Sequence, residues 1–403
     1  MADGDSGGAR GVEHRLNGDF DLSLRAGYRP PPPGSEIARQ VAELLPFALF
    51  FGGREDTALV DSPLPESWLA LLEQAGVEHA AAVTAPSLNA GRPLAPFGWN
   101  ADAAERARRY AVRGEHPPLE VVRRVNARTF SAAIEREIDP DSPYEGRFDS
   151  VAAVENFLRD ASPAERVVKA QHANAGLGNR RLSGAGLDPA TRRLVAEWCA
   201  GGDPVIVERW LPRREDLCLT FHVSRRGAIE DLEVHEMINT ADGAFIGALF
   251  PAGRDRPVAQ REALGRTAEV VARRLRDAGY FGPVCVDAFT WGDGGRLRPL
   301  ADLNARRHVS AGALGLWRRW GREVTVYWRL FKVPRVRLPD PERWTAVLGP
   351  DAFDPGHRRG ALPVSPPVDG AGRPCRRVAV LFAGRNREDV FAMERRMRER
   401  FER

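Results

Sequence analysis

Between Phe281 and His308 the chain reads FGPVCVDAFTWGDGGRLRPLADLNARRH, two strand-like runs joined by a Gly-Asp-Gly-Gly turn. This hairpin constrains the fold more than any other segment, because side chains alternate faces along a strand. Asp302 and Asn304 therefore project together from the second strand, and an antiparallel partner can bring Asp287 of the first beside them. Three oxygen ligands converging from rigid strands suit Mg²⁺, which takes octahedral oxygen coordination shared between carboxylates and phosphates. Without a cation, two facing carboxylates would repel each other and lose hydration at a cost. Asp302 and Asn304 could instead simply end a strand and cap the next helix.

Two upstream segments carry related signals. ERVVKAQHANAGLGNRRL is an apolar strand bearing Lys169, a small-residue loop over 173–179, and a second strand. Small residues let backbone N–H groups approach phosphate oxygens, and a neighbouring lysine supplies a point charge. The spacing fits neither a Walker loop nor a dinucleotide fingerprint. In DPVIVERWLPRREDLCLTFHV, Val205 to Val207 form a buried strand and Glu208 to Leu211 a connector whose backbone can bond an adenine edge. Glu215 comes after it at a distance suited to a ribose, although both acids could equally be solvated charges.

Composition narrows the setting. The 403 residues, 43% hydrophobic, suffice for two or three packed units. Basic and acidic residues number 59 and 55, so the charge gives no support to a nucleic-acid partner. Lysine occurs only at Lys169 and Lys332, which makes a lysine inside an apolar strand notable, since ammonium and guanidinium are not interchangeable at a tight phosphate site. Cys199, Cys218, Cys285 and Cys375 are widely spaced and read as reduced, buried thiols. No segment approaches the roughly 18 apolar residues of a membrane span, and the N-terminus lacks a signal design, so a cytoplasmic location is expected.

Along the chain, residues 1–34 read as a flexible tail. A helical face at Ile37, Val41, Leu44 and Leu45, a strand over 47–51, a helix over 68–74 and a strand over 80–83 predict a small parallel α/β unit. Helices fill 101–137, and from Val151 long strands continue the chain, broken by helices near 189–200 and 258–278, the latter ended by Gly279. A strand over 377–382 and a helix over 387–402 close the chain. The tryptophans of WRRWGR, 317–322, are expected to pack inward, Tyr280 and Phe281 to belong to the core, and His222 and His235 to be structural.

Taken in order, the three segments resemble the ATP-grasp superfamily over Arg124 to His308. The resemblance implies an α/β (α+β) fold with a Rossmann-like pre-ATP-grasp domain over 35–125, an ATP-grasp domain over 126–335 and a small βα cap over 336–403. It implies ATP and two Mg²⁺ ions, replaceable by Mn²⁺, as cofactors. Lys169 and Arg128 match the phosphate-holding cations, and Ala175, Gly176 and Gly178 the covering loop. Glu208, Arg209 and Leu211 match the adenine hinge and Glu215 the ribose acid. Asp287, Asp302 and Asn304 match the metal ligands, and Arg306 the arginine facing an acyl phosphate. Asp302 stands where glutamate is usual, shortening the reach by one methylene, and Arg128 replaces a commoner lysine.

The region 46–100, with the turn at Pro96 to Trp99, and the C-terminal region resemble those of peptide ligases. The implied activity is joining a small-molecule carboxylate to an amine, such as an amino acid or peptide, through an acyl phosphate, in a protein that can be a homodimer. A non-catalytic nucleotide-binding protein and a phosphotransferase are the alternatives.

Overall fold

The structure is a computed structural model that describes residues 11–84, 92–109, 115–173, 178–182, 186–240, 243–253, 257–332 and 343–401. Three sheets are built in chain order. The first holds strands β1 (Glu13–Arg15), β2 (Thr57–Leu59), β3 (Ala81–Val83) and β4 (Leu94–Pro96), all parallel in the order β3-β2-β1-β4. The second, antiparallel, holds β5 (Tyr144–Phe148), β6 (Arg166–Ala170), β7 (Asn179–Leu182) and β8 (Val205–Arg209) in the order β5-β8-β6-β7.

The large third sheet comprises β9 (Arg213–Val223), β10 (Ile229–Asn239), β11 (Phe245–Phe250), β12 (Gly282–Trp291), β13 (Arg296–Asn304), β14 (Thr325–Lys332), β15 (Gly360–Pro363) and β16 (Arg377–Gly384). Their order is β13-β12-β9-β10-β11-β14-β16-β15. Pro299 is tolerated in β13 because that strand lies at the sheet edge, beside a register shift relative to β12.

Several expectations are corrected. The flexible tail over 1–34 is not one from residue 11 onward: β1 lies between β2 and β4, and Leu16 and Phe20 are fully buried. Its short apolar signal is diluted by surrounding Gly and Arg, and only the parallel neighbours complete its hydrogen bonds. The strand over 47–51 is a buried 3₁₀ helix, Leu45–Phe50, with Pro46 in its first turn; a short apolar run cannot be told from a strand by period alone. Val151 opens a helix, Val151–Asp160, where a strand was expected; Ser150 caps it and Val154 and Leu158 bury its inner face. Phe281 is half-buried beneath the Arg225 guanidinium rather than in the core.

The helices Glu66–Gln74, Arg128–Ile138, Pro189–Ala200 and Val258–Asp277 stand where periodicity places them. Gly279 comes just after the last of these at φ 86°, the left-handed conformation that a helix stop favours. Trp317 and Trp320 are buried as expected. The terminal βα unit is present, but β15 and β16 extend the large sheet, and the helix Arg387–Phe401 packs on them through Val390, Met393 and Met397. Among the described residues no helix is long and apolar enough to cross a membrane.

Candidate active site

The hairpin pairs as its alternation requires. Asp287 of β12 faces Asp302 of β13 directly, and Cys285 faces Asn304 on the next rung. The two carboxylates and the amide thus share one face of the large sheet. Burial, then the neighbouring Asp302, pushes the Asp287 carboxyl up to about 7. This all-oxygen donor set is of the kind that holds a hard divalent cation. Arg128, the first residue of the helix Arg128–Ile138, lies across from it with Nη1 3.0 Å from Asp302 Oδ2.

Helix Arg128–Ile138 starts there because Gln171, just after β6, ties it down. The Arg128 N–H donates to the Gln171 carbonyl at 3.2 Å, and Gln171 Nε2 donates to Thr129 Oγ1 at 2.7 Å. The helix start, the segment after β6 and the end of β13 line a small cleft, with Asp21, Arg128, His172, Asp302 and Asn304 among its wall residues. That wall carries one guanidinium, Arg128, beside the carboxylates of Asp21 and Asp302. Burial lowers His172 to about 4, so the imidazole there is neutral.

The second sheet contributes Lys169 and Glu208 from adjacent, paired strands β6 and β8. Lys169 Nζ lies 2.6 Å from Glu208 Oε2, and Arg298 of β13 reaches across to Glu208 at 3.1 Å and to Glu135 at 2.6 and 2.8 Å. All four side chains are at most 4% exposed. Burial pulls Lys169 down to about 8 against the attraction of Glu208. For Glu208 burial opposes ionisation, but Arg298 and Lys169 outweigh it and hold the carboxyl at about 2. We regard Glu208 as ionised, since two cations touch one carboxylate. Its carboxylate is therefore committed to Lys169 and Arg298.

Arg209 is exposed at the end of β8 and directs Nη2 to the Asp141 and Ser142 carbonyls at 3.3 and 3.4 Å. Leu211 is half-buried in the connector after β8, and Glu215 is half-buried on β9 opposite Thr290 of β12. Gly178 closes against Ala173: a Cβ there would come within 2.2 Å of the Ala173 Cβ, so only glycine fits. Ala175 and Gly176 lie outside the described residues.

Arg306 is buried, and its fork is held by a residue that sequence reading missed. Nε and Nη2 donate to the two carboxylate oxygens of Asp21 at 2.8 and 3.0 Å, while Nη2 also lies 3.1 Å from Asn304 Oδ1. Asp21 belongs to the short helix Phe20–Ser23 of the supposed tail, so no local pattern flagged it. Arg298 was findable: it stands four residues before Asp302, on the same face of β13 and flanked by apolar Leu297 and Pro299. Asn126, whose Oδ1 accepts from the Ala305 N–H at 2.8 Å, tethers the strand end to the helical region.

No protein-family model matches the sequence, and no curated protein does. Solved structures match over nearly the whole chain. An N5-carboxyaminoimidazole ribonucleotide synthetase in complex with ADP is 13% identical with a TM-score of 0.55, covering 98% of this chain and 97% of that one. Biotin carboxylase from Campylobacter jejuni, with a bound ATP analogue, is 10% identical with a TM-score of 0.55 over 97% and 91%. An L-amino acid ligase from Bacillus licheniformis is 11% identical with a TM-score of 0.51 over 76% and 79%. The chain has the ATP-grasp fold, with a parallel α/β unit before the two antiparallel sheets and a βα extension at its end.

Proposed function

We propose that this chain is an ADP-forming carboxylate–amine ligase. The observation that carries the reading is the shared sheet face of Asp287, Asp302 and Asn304, with Arg128 3.0 Å from Asp302 and Lys169 buried on the second sheet. Structural neighbours that bind ADP or ATP and ligate small molecules support it at the level of fold.

Asp287, Asp302 and Asn304 would hold Mg²⁺, one ion or two, with Mn²⁺ as a substitute. Such an ion supplies charge neutralisation and orientation for the transferring phosphoryl group. Arg128 and Lys169 hold the phosphates of ATP and offset their charge, Gly178 closes the loop base over them, and the backbone of Arg209 and Leu211 with Glu215 reads the nucleoside. A carboxylate oxygen of the substrate attacks the γ-phosphorus and ADP leaves, giving an acyl phosphate. The amine then attacks the acyl carbon, phosphate leaves, and the amine proton passes to solvent. Arg306, held in place by Asp21, donates to the oxyanion and the departing phosphate. The substrates are small molecules of amino-acid or peptide type, in a cytoplasmic enzyme that can act as a homodimer.

The test is ADP and phosphate release by the purified chain with Mg²⁺-ATP and pooled amino acids and dipeptides, beside Asp302→Ala and Lys169→Ala. Substrate-dependent release of both products, lost in both variants, is the expected result. Phosphate retained on the substrate would indicate a phosphotransferase, and nucleotide binding without turnover a regulatory protein; either outcome overturns the proposal.

A further inference from the structure

The rung carrying the oxygen ligands continues across the sheet. Asp302 faces Asp287, Asp287 faces Cys218 of β9, and Cys218 faces His235 of β10. Cys285, two residues before Asp287, shares that face. The Cys218 and Cys285 sulfurs lie 2.9 Å apart, and one ligand atom each from Cys218, Cys285 and His308 falls within 4.8 Å of the others. Both cysteines are fully buried and His308 is 8% exposed.

We propose that Cys218, Cys285 and His308 form a binding site for a single thiophilic metal ion of the Zn²⁺ class, adjoining the oxygen-lined face, since Cys285 Sγ lies 3.7 Å from Asp287 Oδ1 on the same strand; its thiolate chemistry is independent of the ligase reading. Two sulfurs and an imidazole select soft or borderline metals, whereas the carboxylates beside them select hard ones. Zinc ligand lengths of about 2.3 Å to sulfur and 2.0 to 2.1 Å to nitrogen place tetrahedral ligand atoms roughly 3.3 to 3.8 Å apart. The sulfurs, 2.9 Å apart, must separate by about 0.9 Å to reach the roughly 3.8 Å that two thiolates take on a tetrahedral ion, and all three ligand atoms already lie within 4.8 Å of one another.

Charge and hydrogen bonding agree. Two thiolates balance a divalent ion, and their two protons leave to solvent on binding. Burial, with His235 and Arg306 nearby, keeps His308 neutral, so an imidazole lone pair is available. His308 Nδ1 lies 2.5 Å from Ser310 Oγ and 3.2 Å from the Ser310 N–H. Binding through Nε2 selects the tautomer in which Nδ1–H donates to that hydroxyl, at the expense of the longer contact.

A disulfide is the competing use of the two sulfurs. Cys218 and Cys285 are diagonal rather than opposed, since Cys285 faces Thr220. Both are free thiols in the structure, with sulfurs 2.9 Å apart rather than at the roughly 2.05 Å of a disulfide bond. Three protein ligands leave the fourth position of a tetrahedral zinc site to a water or another donor.

The test uses the full chain, reduced and stripped with chelator, titrated with Co²⁺. We expect a thiolate-to-cobalt charge-transfer absorption saturating at one equivalent and abolished by Zn²⁺. It should vanish in Cys218→Ala and in Cys285→Ala, weaken at least about tenfold in His308→Gln, and persist in Cys199→Ala. Far-UV circular dichroism identifies the folded variants. Absence of the band in the reduced wild type, or its survival in a folded double Cys218→Ala/Cys285→Ala variant, overturns the site. A wild-type mass two hydrogens low after reductant also overturns it, in favour of the disulfide.

Discussion

Replacing Arg298 by methionine removes the cation that joins the two sheets and leaves Glu135 and Glu208 to Lys169. The loss involves contacts of 2.6 and 2.8 Å to Glu135 and 3.1 Å to Glu208, all buried. Breaking such a pair typically costs about 3 to 5 kcal/mol, because a charge is left uncompensated in the interior. Glu135 offers an escape, since burial already raises its pKa against the pull of Arg298. From an ordinary carboxyl value of 4.5, protonating it costs about 3 kcal/mol at pH 7 and under about 1 kcal/mol at pH 5. The variant should therefore lose about 3 kcal/mol relative to wild type at pH 7 and much less at pH 5. Adding Glu135→Gln should recover most of the loss at pH 7. Urea titrations of all three proteins at both pH values, by tryptophan fluorescence and circular dichroism together, measure this. A loss below about 1 kcal/mol at pH 7, or one equal at the two pH values, refutes the argument.

Three further outcomes rest on the same geometry. With Lys169 held at about 8, kcat/KM for ATP should fall above pH 8 as the ammonium deprotonates, and a steady-state pH profile flat to pH 9.5 would contradict this. His14 and His172 are both lowered to about 4, chiefly by burial, from 6.5. The unfolded chain therefore takes up protons first as pH drops, and stability should decline between pH 6.5 and 4 by up to about 3 kcal/mol per histidine; His14→Gln should flatten that slope in urea midpoints. Asp21→Asn should loosen Arg306 and lower kcat by about 10- to 100-fold with little change in KM for ATP, checked by steady-state kinetics.

The hairpin at Gly282 to Asn304 was legible because alternation is local: one register fixes which side chains share a face, and the grouping of Asp287, Asp302 and Asn304 comes from it. Lys169 stood out as a rare lysine in an apolar strand and Arg128 only through the family resemblance, whereas the helices were legible from apolar stripes at helical period. Local patterning could not say what lies opposite. Asp21 meets Arg306 across 285 residues of chain, and Arg298 meets Glu135 across 163. The short polar strand Glu13–Arg15 is stabilised almost wholly by its neighbours.

The sequence determined the pairing of the hairpin and that Asp287, Asp302 and Asn304 share a face, since both depend on spacing within one segment. The tertiary structure decided that Glu208 serves Lys169 and Arg298, that Arg306 is gripped from the N-terminal unit, and that two distant cysteines meet His308 beside Asp287. Such contacts depend on how the sheets stack and on which buried charges must find partners. Burial strengthens each of those pairings and makes each unmet one costly, and burial is a property of the assembled fold rather than of any segment.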